Sequence, residues 1–216
     1  MNRTIWILRH ALREDSVHPD WVKNADRPWD PPLAKEGFSQ AEKVAKRLKT
    51  ANIDHLFSSP FLRALQTSDC VEKALGIPVI VDTGLGEWGT AQTNIPKDAS
   101  LNRDEIASMF PGIHSFRVSA VPSYPIESEW ELFVRMRSTI QSILKSVPEG
   151  NVLLVSHASP IIILLRYLDE SFFVQFYGPL ENPLSRLSEK VPVCSLSKVI
   201  ERKNHWVLEE IGTQVH

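Results

Sequence analysis

The feature that most constrains the fold is an alternation of short apolar runs with longer amphipathic ones. Thr4–Leu8, Ile53–Phe57, Pro78–Val81 and Asn151–Ser156 are brief and apolar, and each has the length of a strand. Between them lie segments with helical spacing. Lys35–Lys49 places Phe38, Ala41, Val44, Ala45 and Leu48 on one face. The next predicted helix is capped by Ser59, has Pro60 at its first position and ends at Gly76 and Pro78, with Phe61, Ala64, Leu65, Val71, Ala74 and Leu75 facing inward. Ser128 and Glu131 form a capping-box signature for a long helix burying Trp130, Phe133, Val134, Ile140, Ile143, Leu144 and Val147. Pro160–Leu168 follows as another helix.

Strands that alternate with helices form a mainly parallel sheet covered on both faces, an α/β fold. Val191–Ile200 and His205–Ile211 read as a late antiparallel element at one edge. The 216 residues fit one domain, since a single core serves up to ~250. The stretch at about 89–127 lacks periodicity and holds Pro96, Pro111, Pro122 and Pro125, so it is expected to be an irregular insertion, helical near Asn102–Phe110.

Composition excludes several classes. Lys plus Arg is 24 against 26 Asp plus Glu, a net charge of -2, without the basic excess of a nucleic-acid binder. Two separated cysteines, Cys70 and Cys194, make no disulfide framework, so a reducing compartment is expected. The apolar stretch near the N-terminus is four residues ending at Arg9, and Pro160–Leu165 is far short of the ~20 residues of a membrane span. A soluble cytoplasmic protein is expected, and the nucleus is left open.

In an open α/β sheet, ligands bind beyond the carboxyl ends of the strands. The first strand is followed by Arg9, His10 and Arg13, the second by Ser58-Ser59-Pro60 and Arg63, and the late strand by Ser156 and His157. Any one of these pairs is commonplace, but the set converges on one crevice. Guanidiniums with imidazoles match a phosphate dianion, through planar bidentate donors that stay charged. Helix N-termini after Pro60 and Ser159 would add backbone donors. A histidine among such cations has a lowered pKa and keeps the lone pair that attack on phosphorus requires.

Four motifs carry a family resemblance: Arg9-His10-Ala11, Pro32 to Ala41, Ser58 to Thr67, and Ser156-His157-Ala158. In this order they resemble the histidine phosphatase superfamily, the phosphoglycerate-mutase-like fold, over nearly the whole chain. Arg13 with Asp15, Gly84-Leu85-Gly86-Glu87-Trp88, and the tail from Cys194 to Leu208 look closest to its suppressor-of-T-cell-receptor-signalling branch. A histidine-phosphatase-like subunit of an RNA polymerase III transcription factor is similar in the same places.

The resemblance implies a metal-independent phosphomonoesterase with a phosphohistidine intermediate. His10 would be the nucleophile. Arg9, Arg63 and His157 would hold the phosphoryl group, with Arg13 as a further anion contact. Glu87 would be the general acid and then the base. No metal and no cofactor are implied, because the arginines neutralise the charge. The expected partner is a phosphorylated substrate, a phosphotyrosyl protein or a small phosphate ester. Neither nucleic acid nor membrane is expected, and a homodimer is compatible with the chain.

Two alternatives stand beside this reading. One is a phosphoglycerate-type mutase, although the segment after His10 lacks the serine and asparagine pattern of that class. The other is an inactive module that keeps the phosphate pocket. Ala11 and Ala158 stand where the family has glycine, and Leu12 where the closer branch has an acid. An alanine needing φ > 0 would be strained by about 1–2 kcal/mol, whereas at negative φ its methyl merely fills space. Trp21, Trp29, Phe110, Phe116 and Tyr124 would either wall a hydrophobic leaving-group site or anchor long loops.

Overall fold

A computed structural model describes residues 3–113, 115–171, 188–203 and 205–215. Five parallel strands form the body of the sheet: β1 (Thr4–Arg9), β2 (His55–Ser58), β3 (Val79–Asp82), β4 (Ser115–Arg117) and β5 (Val152–Ser156). With the antiparallel pair β6 (Ser195–Arg202) and β7 (His205–Gln214), the strand order is β4-β3-β2-β5-β1-β6-β7. The α/β class and the antiparallel edge are as expected.

The helices are α1 (Glu14–Val17), α2 (Lys35–Leu48), α3 (Leu62–Leu75), α4 (Arg103–Met109), α5 (Glu129–Ser146) and α6 (Ala158–Leu168). On one face of the sheet, Ala41, Val44 and Leu48 of α2 and Ala64, Leu65 and Val71 of α3 pack against Leu8, Leu56, Leu153 and Val155. On the other face, Met136, Ile140 and Ile143 of α5 and Ile161, Ile162 and Leu165 of α6 pack against Ile5, Ile7, Val152 and Leu154. Odd and even residues of β1 and β5 thus enter different cores, which is why both strands are apolar throughout. Among the described residues no helix is long and apolar enough to cross a membrane.

Several sequence expectations are corrected. Helix α3 begins at Leu62 with Phe61 at its cap position, and Ser59 is not the cap. The N–H of Leu62 instead donates to Asp30 Oδ1 at 2.8 Å, so a distant carboxylate does the capping. The stripe read for α5 holds at Ile140 and Ile143, and Phe133, Leu144 and Val147 pack partly buried against the core, but Trp130 is 71% and Val134 43% exposed, while Leu132, Arg135, Met136 and Thr139 are buried as well. The buried Arg135 explains the misreading, because a charged residue inside the inner stripe makes the aromatic face look like the apolar one. Phe38 of α2 is also exposed, at 38%. In the region at about 89–127 the helix expected near Asn102–Phe110 is found as α4, capped by Asn102 and Glu105, and the short edge strand β4 goes beyond the sequence expectation.

The helix α2 approaches the loop after β1 through Gly37, where an added Cβ would collide with the carbonyl oxygen of Leu12. Gly37→Ala is therefore expected to lower stability by about 1–3 kcal/mol, because the obstacle is backbone rather than a movable side chain. Urea unfolding compared with wild type checks it.

Candidate active site

The carboxyl ends of β1, β2, β3 and β5 meet at one place, and the loops leaving them bring in the residues singled out above. His10 is held through its own backbone: its N–H donates to Ser156 O and its carbonyl accepts from Cys194 N, both at 3.0 Å. Its ring is 2% exposed, and Nδ1 lies 2.9 Å from the Ala11 carbonyl oxygen. A carbonyl can only accept, so Nδ1 carries the proton and Nε2 carries the free lone pair.

His157 follows β5 and forms the cap position of α6. Its ring centroid is 5.2 Å from that of His10, and the Phe61 ring stands edge-on at the same distance. Its Nε2 lies 2.8 Å from Ser59 Oγ. Ser59 thus orients His157, a role different from the helix cap read in the sequence. When that hydroxyl donates, Nδ1 of His157 is the protonated nitrogen, and it faces Glu87 Oε2 at 3.3 Å. That distance is an ion-pair distance, but the nitrogen makes no aligned hydrogen bond.

Arg63 is the centre of the cluster. It is 2% exposed, with Nη1 3.3 Å from Asp30 Oδ1 and Nη2 3.3 Å from Glu87 Oε2. Its guanidinium also lies 4.7 Å from the centroid of the Phe61 ring. Glu87 follows the 3-10 turn Thr83–Leu85 after β3, and its Oε1 accepts from Trp88 N at 2.9 Å. Arg9 Nη1 donates to Val191 O at 2.7 Å. Arg13 is paired through Nε and Nη2 with both carboxylate oxygens of Asp15, at 2.9 Å each. Its charge is nonetheless felt at Arg9, Arg63 and His157, so it borders the cluster while its donors are engaged elsewhere.

Burial and then the neighbouring guanidiniums push both imidazoles well below the ordinary histidine range. For His10 the cationic contributors are Arg63, His157 and Arg9, and for His157 they are Arg63, Arg13, Arg135 and Arg9. Burial likewise lowers Arg9 and Arg63, partly opposed by Glu87. Asp30 moves the other way, up to about 6: burial outweighs the attraction of Arg63 and the hydrogen bond from Leu62.

His10, Glu87 and His157 offer ligand atoms within 4.8 Å of one another, close enough to surround a cation. The electrostatics do not fit one. Both imidazoles sit in a field that already repels a proton, and the single carboxylate of the trio is engaged by Arg63. Buried Arg9 Nε, Arg63 Nε and His157 Nδ1 lack a hydrogen-bond acceptor within the protein. Such an array suits an anion.

Neither alanine is strained. Among the described residues, non-glycine positive φ occurs at Asn52, Asn94, Cys194 and Lys203 only. Ala158 opens α6, and Ala11 is fully buried in the core with its N–H donating to Thr67 Oγ1 at 3.1 Å. Of the five aromatics considered, Tyr124 reaches the site: its hydroxyl donates to Glu87 O at 2.8 Å, and its ring stands edge-on to Phe61. Phe110 belongs to the core, Phe116 lies under Arg103 and Trp29 is 45% exposed. His18 and His205 are exposed and His55 half-buried, away from the cluster, while His114 and His216 lie outside the described residues.

Asp30, Glu127 and Arg135 were missed. Asp30 sits in an aperiodic stretch before Pro31-Pro32 and carries no pattern. Arg135 had a signal: Leu132, Met136, Ile140 and Ile143 define a stripe in which position 135 lies inward.

Comparison with known proteins fits this geometry. The chain is 30% identical to the transcription factor tau 55 kDa subunit of Saccharomyces cerevisiae, matching 98% of this chain and 50% of that protein. It is 29% identical to a probable phosphoglycerate mutase GpmB of Proteus mirabilis, over 98% of this chain and 94% of the relative. The ecdysteroid-phosphate phosphatase of Drosophila melanogaster is 25% identical over 97% of this chain and 32% of its own length. The chain thus spans half of the yeast subunit and about a third of the fly phosphatase. Among solved structures, the ecdysone phosphate phosphatase of Bombix mori in complex with tungstate shares the fold with a TM-score of 0.76. Identity there is 22%, over 96% of this chain and 92% of that one. These relatives uphold the superfamily but not the narrower suppressor-of-T-cell-receptor-signalling branch.

The lowered imidazoles make a prediction about stability. A folded-state pKa below the unfolded value means that the unfolded chain binds the proton first. Stability is therefore expected to be full above about pH 6.5 and to decline as pH falls through it, with Asp30 opposing the decline below about 6. Urea titrations from pH 8 to 5 should show a shallower slope in His10→Ala than in wild type. An equal slope would mean that His10 is protonated as readily folded as unfolded.

The family model that describes branch 1 of the histidine phosphatase superfamily matches residues 5–213, and the chain belongs to that superfamily.

Proposed function

We propose that this protein is a phosphomonoesterase that passes the phosphoryl group through His10. The observation that carries the reading is the buried Nε2 lone pair of His10, fixed by the Ala11 carbonyl and set among Arg9, Arg63 and His157. Those cations would draw in the phosphoryl oxygens, and the same charges keep His10 unprotonated for attack. Arg13, after exchanging Asp15, would supply a further anion contact.

In the first half-reaction, Nε2 of His10 forms a bond to phosphorus as the ester P–O bond breaks. Glu87 gives its proton to the departing oxygen. In the second, water attacks phosphorus, Glu87 takes up the water proton, the P–N bond breaks and inorganic phosphate leaves. A dianion beside Glu87 competes with that carboxylate for Arg63. The guanidiniums supply the charge neutralisation that a divalent ion provides elsewhere, so no metal is required.

The substrate is a phosphotyrosyl-type or small phosphate ester. A cavity of about 370 Å³ adjoins the site, lined in part by Phe61, Gly86, Lys97, Val121, Pro122 and Tyr124. Phe61 and Tyr124 also touch His157 and Glu87 respectively. The segment at about 89–127 would thereby shape the substrate site within one histidine-phosphatase-like domain. The likeness to the probable bacterial mutase favours a second reading, in which the phosphoryl group returns to the substrate instead of passing to water.

Hydrolysis of para-nitrophenyl phosphate tests the proposal. Turnover is expected to resist EDTA and to vanish in His10→Ala. Glu87→Ala should slow an alkyl phosphate by ~10²–10⁴-fold and an acidic phenyl ester much less. Folded wild type that binds vanadate without turnover would refute it, and dependence on a bisphosphate primer would select the mutase.

A further inference from the structure

The segment that presents Glu87 leaves its 3-10 turn at Leu85 and has no regular hydrogen bonding of its own, so something else must hold it. Arg135, 3% exposed on the inner face of α5, divides its donors between it and Glu127. Nε donates to Glu127 Oε1 at 2.7 Å and Nη2 to Glu127 Oε2 at 2.6 Å. Nη1 donates to the carbonyls of Gly84 and Gly86 at 2.8 and 2.9 Å, and Nη2 also reaches Glu87 O at 3.2 Å. Glu127 closes the far side: its N–H donates to Gly89 O, and its carbonyl accepts from Trp88 Nε1, both at 2.8 Å. All five guanidinium N–H groups are thus spent on Glu127 and on residues 84–87, and none is left to contact a substrate.

We propose that the Arg135–Glu127 pair positions Glu87, holding the backbone on both sides of it so that the carboxylate faces Arg63 and His157. The proposal rests on Glu87 being the general acid. Arg135 touches no reacting atom and acts through Glu87, so its effect falls on the step that Glu87 serves. Lysine cannot replace it, because a single ammonium cannot reach two carboxylate oxygens and three carbonyls. Esters whose leaving oxygen must be protonated depend on the clamp. Esters of strongly acidic phenols do not.

The test compares wild type, Arg135→Lys, the paired change of Arg135→Met with Glu127→Met, and Glu87→Gln. An alkyl phosphate and 2,4-dinitrophenyl phosphate are the substrates, with tungstate affinity and Tm as controls. The paired change removes both buried charges and so keeps the experiment readable where Arg135→Lys fails to fold. Turnover of the alkyl phosphate is expected to fall ~10–100-fold in the folded clamp variants, approaching Glu87→Gln, with the dinitrophenyl ester within ~3-fold and tungstate affinity retained. Equal losses on both esters, or no loss on either, overturn the proposal. Should wild type hydrolyse neither ester, the phosphatase reading fails by itself. The crystal structure of the paired variant then judges the clamp. A Glu87 carboxylate still 3.3 Å from Arg63 and His157 overturns it, and a displaced one supports it.

Discussion

A guanidinium that is 2% exposed has no water to carry its charge, and Arg63 must find that support within the protein. Asp30 supplies it from one side and Glu87 from the other. This single requirement ties together three distant stretches of chain. The loop after β1 must return to deliver Asp30, the helix α3 must start where Leu62 can donate to the same carboxylate, and the turn after β3 must bring Glu87 inward. A carboxylate that caps a helix and pairs with its second residue fixes both the direction of α3 and the direction of the charge.

The same interior charge explains the arrangement around it. Burial lowers both imidazoles, and the positive groups around them push the same way. Phe61 serves three partners at once: the His157 ring, the Arg63 guanidinium and the Tyr124 ring. Further out, Arg135 and Glu127 repeat the pattern of a buried cation and anion, there to hold backbone rather than to meet a ligand.

Much of this was legible in the sequence, for definite reasons. Strand ends precede Arg9-His10, Ser58-Ser59 and Ser156-His157, and parallel topology carries all three to one edge, so His10, Arg63 and His157 could be grouped without coordinates. The end of α3 at Gly76 and the capping box of α5 follow from local chemistry and are found where expected. The misses share another cause. Asp30, Arg135 and Glu127 are buried charges whose partners lie 8 to 51 residues away, so no short-range pattern reports them. The role of Ser59 was misread because Ser-Pro before a helix is a common capping signal, whereas here the hydroxyl turns to an imidazole 98 residues away.

The position of β1 in the sheet bears on how the chain comes together during synthesis. Its neighbours are β5 and β6, so Ile5 pairs with Val152 and Val199. The earliest strand made therefore waits for some of the last, and His10 gains its backbone partners at Ser156 and Cys194 only then. Closing contacts over such separations costs entropy before it returns stability, and leaves apolar strands uncovered meanwhile. A ribosome-bound fragment ending before β5 would contain Arg9, His10, Arg63 and Glu87 and still lack the centre of its sheet. The setting of His10 thus comes into being with the whole sheet, because its backbone partners are Ser156 on the central strand β5 and Cys194 just before the edge strand β6, both made late.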